Sequence, residues 1–149
     1  MPRYVVPDTS AIAAALYNES YTLQAEPLLE AIRKGSVDAV APSSGLTEFL
    51  NVSRKKLISS GSHSASFVAD VEAIVADFLT LPILWWEISA IAPSAWRLHR
   101  SQGVETGDAF FLEVARQWDA EIWTLDEQFY RTAHLAHPKT FDLRTIRFV

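Results

Sequence analysis

Four acidic residues, Asp8, Glu48, Asp108 and Asp126, stand where carboxylates can do chemistry. Each lies just beyond an apolar strand-like run or near the start of a helix-like one. Several carboxylates within a few ångströms raise each other's pKa, because like charges resist joint ionisation. A bound divalent cation reverses that logic and keeps them charged. All-oxygen donors favour Mg²⁺ or Mn²⁺ over zinc. Such a pocket would suit metal-assisted hydrolysis of a phosphodiester, with a metal-bound water as nucleophile. Asp8 and Asp108 are the first choices for direct ligands. Asp126 and Glu48 complete the shell or orient the water, with Asp126 counted among the metal ligands.

Each acid also has an ordinary reading. Asp8 and Asp126 suit helix N-caps, Asp108 complements a helix dipole, and Glu48 is a solvated helix glutamate. Those readings explain the acids one at a time and leave their shared position unexplained.

The elements that must position them follow from hydrophobic period and punctuation. Residues 3–6 read as a strand stopped by Pro7, followed by a helix from Asp8-Thr9-Ser10 through Tyr17. A helix over 22–34 ends at Gly35, and Val37 to Ala41 is the next strand. The helix after Pro42-Ser43-Ser44 runs to about Leu57 and carries Leu46, Phe49 and Leu50 inward. A Ser/Gly-rich break at 59–64 precedes an amphipathic helix to Leu79. Ile83 to Ile88 is a strand, in which Trp85 and Trp86 point to opposite faces. A helix over 89–101 accommodates Pro93 only in its first turn. Another helix follows Glu105-Thr106-Gly107-Asp108, then a strand at Glu121 to Leu125, with a last one at Thr145 to Val149. Alternation of this kind predicts a single domain over 1–149, a three-layer α/β/α sandwich with a mainly parallel sheet of four to five strands. In such a sheet, strand C-termini and helix N-termini share one edge, and all four acids fall on it.

Composition narrows the function classes. The chain has no cysteine, which removes disulfides, thiolate zinc and thiol catalysis. A net charge of -5 argues against coating nucleic acid through a broad basic surface. No apolar run approaches a membrane span, and no signal peptide is visible, so a cytoplasmic location is the default expectation.

Thr9, Ser10, Thr47 and Thr124 could hydrogen-bond the carboxylates and fix their rotamers, although capping and turn chemistry accounts for them equally well. Arg54, Lys55 and Lys56 continue the Glu48 helix, where Arg54 and Lys55 are candidate phosphate contacts or a solvated helix end. Arg97, His99 and Arg100 form a second basic spot with the same ambiguity. His134 and His137 have a metal-compatible spacing, but Pro138 favours an ordinary surface loop.

The local sequences around the acids resemble the PIN-domain ribonucleases, especially the small VapC-type toxins of toxin–antitoxin pairs. The resemblance rests on a strand followed by Asp8-Thr9-Ser10, and on Pro42-Ser43-Ser44 leading to Leu46-Thr47-Glu48-Phe49. It continues in Gly107-Asp108-Ala109 before an apolar helix and closes on Trp123-Thr124-Leu125-Asp126. Phe110-Phe111 departs from it, where many relatives carry smaller or tyrosine-type residues. The resemblance implies a PIN-like fold with Asp8, Glu48, Asp108 and Asp126 as its acidic site. It also implies cleavage of RNA to a 5′-phosphate and a 3′-hydroxyl, and a cognate antitoxin as partner. A homodimer is expected from the apolar helices. The competing expectations are a catalytically silent PIN scaffold that binds RNA or assembles with partners and, more distantly, a phosphoacceptor receiver domain.

Overall fold

A computed structural model describes residues 1–59, 61 and 64–149. Strand and helix alternate as β1 (Tyr4–Pro7), α1 (Thr9–Leu16), α2 (Thr22–Arg33), β2 (Asp38–Pro42), α3 (Ser44–Ser59) and α4 (Ala65–Leu79). They continue as β3 (Ile83–Trp86), α5 (Ile88–Gln102), α6 (Thr106–Trp118), β4 (Glu121–Thr124), α7 (Glu127–Ala136) and β5 (Thr140–Asp142). The five strands form one sheet in the order β3-β2-β1-β4-β5, and each pairing is parallel. Val5, Val6, Val40, Ala41, Ile122 and Trp123 are all buried, because helices cover both faces of a parallel sheet and leave no face for polar alternation.

The aromatic contacts assign the layers. Trp85 meets Phe78 of α4 edge-on at 5.8 Å, whereas Trp86 meets Trp118 of α6 at 5.5 Å. Adjacent strand residues face opposite ways, so α4 and α6 lie on opposite faces. Phe49 of α3 stacks on Phe78 at 3.8 Å, and Tyr17 at the end of α1 stacks on Phe49 at 6.1 Å. Phe111 of α6 meets Phe129 of α7 on the other side at 6.5 Å. The fold is the expected three-layer sandwich. At Gly45 of α3 the packing leaves little room for a side chain: a Cβ would lie 3.0 Å from the Trp85 ring and 3.4 Å from that of Phe111.

The connection order creates one special crevice. The chain moves outward from β1 through β2 to β3, then crosses back through α5 and α6 to β4 on the far side of β1. The helices that leave β1 and β4 therefore diverge to opposite faces. In an open parallel sheet that reversal point is where ligands bind, outside the strand C-termini.

Several expectations need correction. Thr145 to Val149 is not a strand; the fifth strand is Thr140–Asp142, just after Pro138. The amides of Thr145 and Ile146 turn back to the Asp142 carbonyl at 3.0 and 2.9 Å. The tail then folds over the sheet, with Phe148 edge-on to Trp123 at 5.0 Å and the Arg3 guanidinium 4.7 Å above the Phe148 ring. Of its apolar residues Phe148 is buried, while Ile146 and Val149 are exposed. Leu50 is 43% exposed rather than inward, since it lies a helical step of about 100° from the buried Phe49. Pro93 is the sixth residue of α5, beyond the first turn. It is exposed there, so water can satisfy the carbonyl its missing N–H leaves free. A full helix, α7, follows Asp126, and His137 is buried at its end with Nε2 2.7 Å from the Ala120 carbonyl. Of the expected break at 59–64, residues 60, 62 and 63 lie outside the described residues. Among those described, no helix is long and apolar enough to cross a membrane.

Candidate active site

The crevice between β1 and β4 is built first from backbone. Asp8 follows β1, yet its N–H still donates to the Trp123 carbonyl at 3.0 Å, so it stays aligned with β4 before the chain enters α1. Its Oδ1 accepts from the Thr9 N–H at 2.9 Å, the N-cap of α1. Its Oδ2 accepts from the Ser10 hydroxyl at 2.8 Å and from the Thr124 hydroxyl at 2.7 Å. Thr124 is fully buried, and its Oγ1 accepts from the Asp126 N–H at 2.9 Å. The Leu125 N–H donates to Ser10 Oγ at 3.1 Å. Two hydroxyls thus lace the ends of β1 and β4 together and fix the Asp8 carboxylate between them.

The other acids arrive on helix starts. Asp126 caps α7 by accepting from the Phe129 N–H at 3.0 Å. Glu48 lies one turn into α3, with Oε2 accepting from the Thr9 hydroxyl at 2.8 Å. Asp108 is the third residue of α6. Next to it, a Cβ on Gly107 would come within 3.3 Å of Glu48 Oε1, so glycine lets α6 close on α3. Thr9 and Gly107 together bring the Glu48 carboxylate to the same edge.

Electrostatics give this cluster its character. Burial pushes the Asp8 carboxyl up, against the pull of its hydrogen bonds from Thr124, Ser10 and Thr9, and Asp126 adds repulsion. Burial raises Glu48 too, against the pull of the Thr9 hydrogen bond, and Asp8 and Glu105 add repulsion. Asp108 is raised to about 7 by burial and by the charges of Asp8, Asp126, Glu105 and Glu48. The neighbouring charges that move these three groups are all carboxylates.

Glu105 is the acid that sequence reasoning passed over. It occupies the N-cap position of α6 without making a side-chain cap. Glutamate is not among the preferred N-cap residues, so a glutamate there with a free carboxylate was the available signal. Thr47 is exposed rather than turned to the acids. Arg54 and Lys55 are exposed on α3, and Lys56 pairs instead with Glu19 at 2.8 Å. His134 stacks near Tyr130 at 5.2 Å on α7.

The donor set suits a hard divalent cation. It is made of carboxylates, three of them pushed up by burial and by mutual repulsion, which the charge of such a cation would offset. Among the described residues, no three His, Cys, Asp or Glu side chains stand so grouped that they could already hold a metal ion.

The PIN-domain family profile matches residues 5–135. The chain belongs to the PIN-domain family. Solved structures with the same fold include PAE2754 from Pyrobaculum aerophilum, at 16% identity and a TM-score of 0.60 over 97% of this chain and 94% of that one. VapC20 from Mycobacterium tuberculosis, a sarcin-ricin loop cleaving toxin, aligns at 19% identity and TM-score 0.61 over 84% and 92% of the two chains. FitAcB from Neisseria gonorrhoeae aligns at 17% identity and TM-score 0.50 over 95% and 99%. At these identities the likeness is one of fold. No curated protein sequence matches the chain.

Proposed function

We propose that this PIN domain is a divalent-metal-dependent endoribonuclease and the toxin of a toxin–antitoxin pair. The observation that carries the reading is the concentration of carboxylates at the strand-order reversal, where the charges acting on Asp8, Glu48 and Asp108 are all negative. Membership of the PIN family supports a nuclease-type activity, and the toxin among its structural neighbours supports the finer assignment.

Asp8, Asp108 and Asp126 would hold Mg²⁺ or Mn²⁺, which supplies a water of lowered pKa and positive charge for the phosphodiester oxygens. The chain's own part is positioning. Thr9, Ser10 and Thr124 hold Asp8 in one rotamer, so the carboxylate meets its ligand without reorganising. Thr9 also tethers Glu48, leaving its Oε1 to orient the attacking water and receive its proton. Without a compensating cation, Asp108 holds a proton up to about pH 7. Arg54 and Lys55, exposed further along α3, would meet RNA phosphates beyond the crevice. The chain acts as one domain, as a homodimer held inactive by a protein antitoxin.

The test is direct. Purified protein incubated with RNA and Mn²⁺ or Mg²⁺ should cleave it, and Asp8→Asn and Asp108→Asn should each lower the rate more than about 100-fold, beyond the range set by outer hydrogen-bonding partners of a metal site. Equal cleavage by wild type and both variants would refute the assignment.

A further inference from the structure

The protein is acidic overall, and most of its cations are already paired. Among the described residues, Arg54, Lys55, Arg97, Arg100, Arg116 and Arg147 make no ion pair. Three of these lie on α5 and α6, and two of the three, Arg97 and Arg116, line a single cleft of about 410 Å³ between those helices. Ser94, Ser101 and Gln117 share its walls. Arg97 Nη2 donates to Ser94 Oγ at 3.2 Å, which steadies one guanidinium at the rim. The cleft also contains a carboxylate, the buried Glu113, whose Oε1 accepts from Gln117 Nε2 at 3.0 Å. Two guanidiniums and two hydroxyls remain as the outward-facing donors, a set whose planar forks match phosphate oxygens.

Position gives the cleft its meaning. Arg116 lies eight residues after Asp108 on α6, a rise of about 12 Å along one rigid helix. A strand of RNA with its scissile phosphate at Asp108 would have further phosphates within that reach. Arg54 and Lys55 stand on open helix surface, whereas Arg97 and Arg116 approach one concave space from two helices.

We propose that the α5–α6 cleft is a phosphodiester-binding subsite that grips the RNA backbone a few nucleotides from the cleaved bond. The assignment rests on RNA being the substrate. Binding of a fluorescent single-stranded RNA, without added metal, is measured by anisotropy across a salt series for wild type and Arg97→Gln/Arg116→Gln. A control, Lys34→Gln/Arg147→Gln, removes the same formal charge elsewhere. The double cleft variant should bind at least about tenfold more weakly, as loss of charge-assisted hydrogen bonds predicts. Its log–log salt slope should fall by about 0.7 for each phosphate released. In cleavage assays with Mn²⁺ it should raise KM and leave kcat unchanged, while the control stays with wild type in every readout. RNA binding that is equal in wild type and the cleft variant, equally weakened in the control, or absent in wild type overturns the subsite. Cleft-dependent binding with no cleavage by wild type would keep the subsite and overturn the nuclease reading instead.

Discussion

Two aspartates of nearly equal exposure sit at the C-terminal edge of the same sheet and meet opposite fates. Asp8, 6% exposed, follows β1; Asp142, 3% exposed, ends β5. Burial pushes both carboxyls up. Around Asp8 stand hydroxyls and other acids, and the net shift is upward. Around Asp142 stands Arg144, whose Nε lies 3.0 and 3.2 Å from its two oxygens and whose Nη2 lies 2.7 Å away. The Arg144 N–H adds a bond at 2.9 Å, and the net shift is downward. Arg144 reaches on to Glu127 at 3.2 Å. At Asp142 the bonds from Arg144 outweigh the cost of burial, whereas at Asp8, which is more deeply enclosed, the hydroxyl bonds do not. Asp142 is finished by the chain itself, while the Asp8 cluster is left short of positive charge.

If that contrast is right, the sharpest break between the two should come in cleavage. Asp142→Asn should leave the cleavage rate of the folded protein unchanged, against the loss expected for Asp8→Asn. A metal-dependent ribonuclease assay on both variants checks this, and parallel losses would erase the distinction.

Stability should divide them in the reverse sense. Asp142→Asn strands part of the Arg144 charge and should cost about 2 kcal/mol in urea unfolding. Asp108→Asn removes a repelled carboxylate and should gain about 1 kcal/mol in metal-free protein at pH 8. The pH slopes are opposite too. Between the ordinary 3.8 and about 7, folded Asp108 keeps a proton that the unfolded chain has lost, so its contribution weakens the fold as pH rises. The Asn variant escapes that loss, and its advantage should narrow toward pH 4. Asp142 stabilises at neutral pH and loses its contribution as pH falls through its depressed folded value. Urea titrations at pH 4 and 8 measure the first, and titrations carried below pH 3.8 measure the second.

The smallest effect is expected at Gly107→Ala. The added methyl meets Glu48 Oε1 at 3.3 Å and presses on a carboxylate tethered by Thr9. Helix propensity favours alanine by up to about 1 kcal/mol, so the fold should hold or gain slightly. Cleavage should slow, though by less than the about 100-fold that a 1 Å misplacement costs. Stability and rate moving apart in this variant would mark Glu48 as part of the working cluster; a fall in both would mark Gly107 as packing alone.

Much of this was legible because the signals were local. Asp8-Thr9-Ser10 after a short apolar run, and Thr124 two residues before Asp126, are spacings that a strand end and a helix cap impose wherever they occur. The Ser10 hydroxyl reaches Asp8 within one turn, whereas the hydroxyls of Thr9 and Thr124 reach Glu48 and Asp8 across the fold. What escaped depended on distant partners. The tail from Thr145 to Val149 has strand-like composition, but its packing was settled by Trp123 and Arg3, more than twenty residues away or at the other terminus. Thr47 lay as close in sequence to Glu48 as Thr9 lies to Asp8, and only helix orientation turned it outward. Arg116 carries no signal in its own segment; only the packing of α5 on α6 sets Arg97 across the cleft from it.

By itself, then, the sequence determined the alternation of strands and helices, the buried parallel sheet and the edge on which Asp8, Glu48, Asp108 and Asp126 lie. Those follow from hydrophobic period, capping chemistry and chain direction, which are properties of short segments. The tertiary structure alone decided which strands flank the crevice, that Glu105 joins the acids, and that Arg144 neutralises Asp142 while the cluster around Asp8 remains uncompensated. Charge compensation acts through space across a few ångströms, and only the folded chain sets those distances.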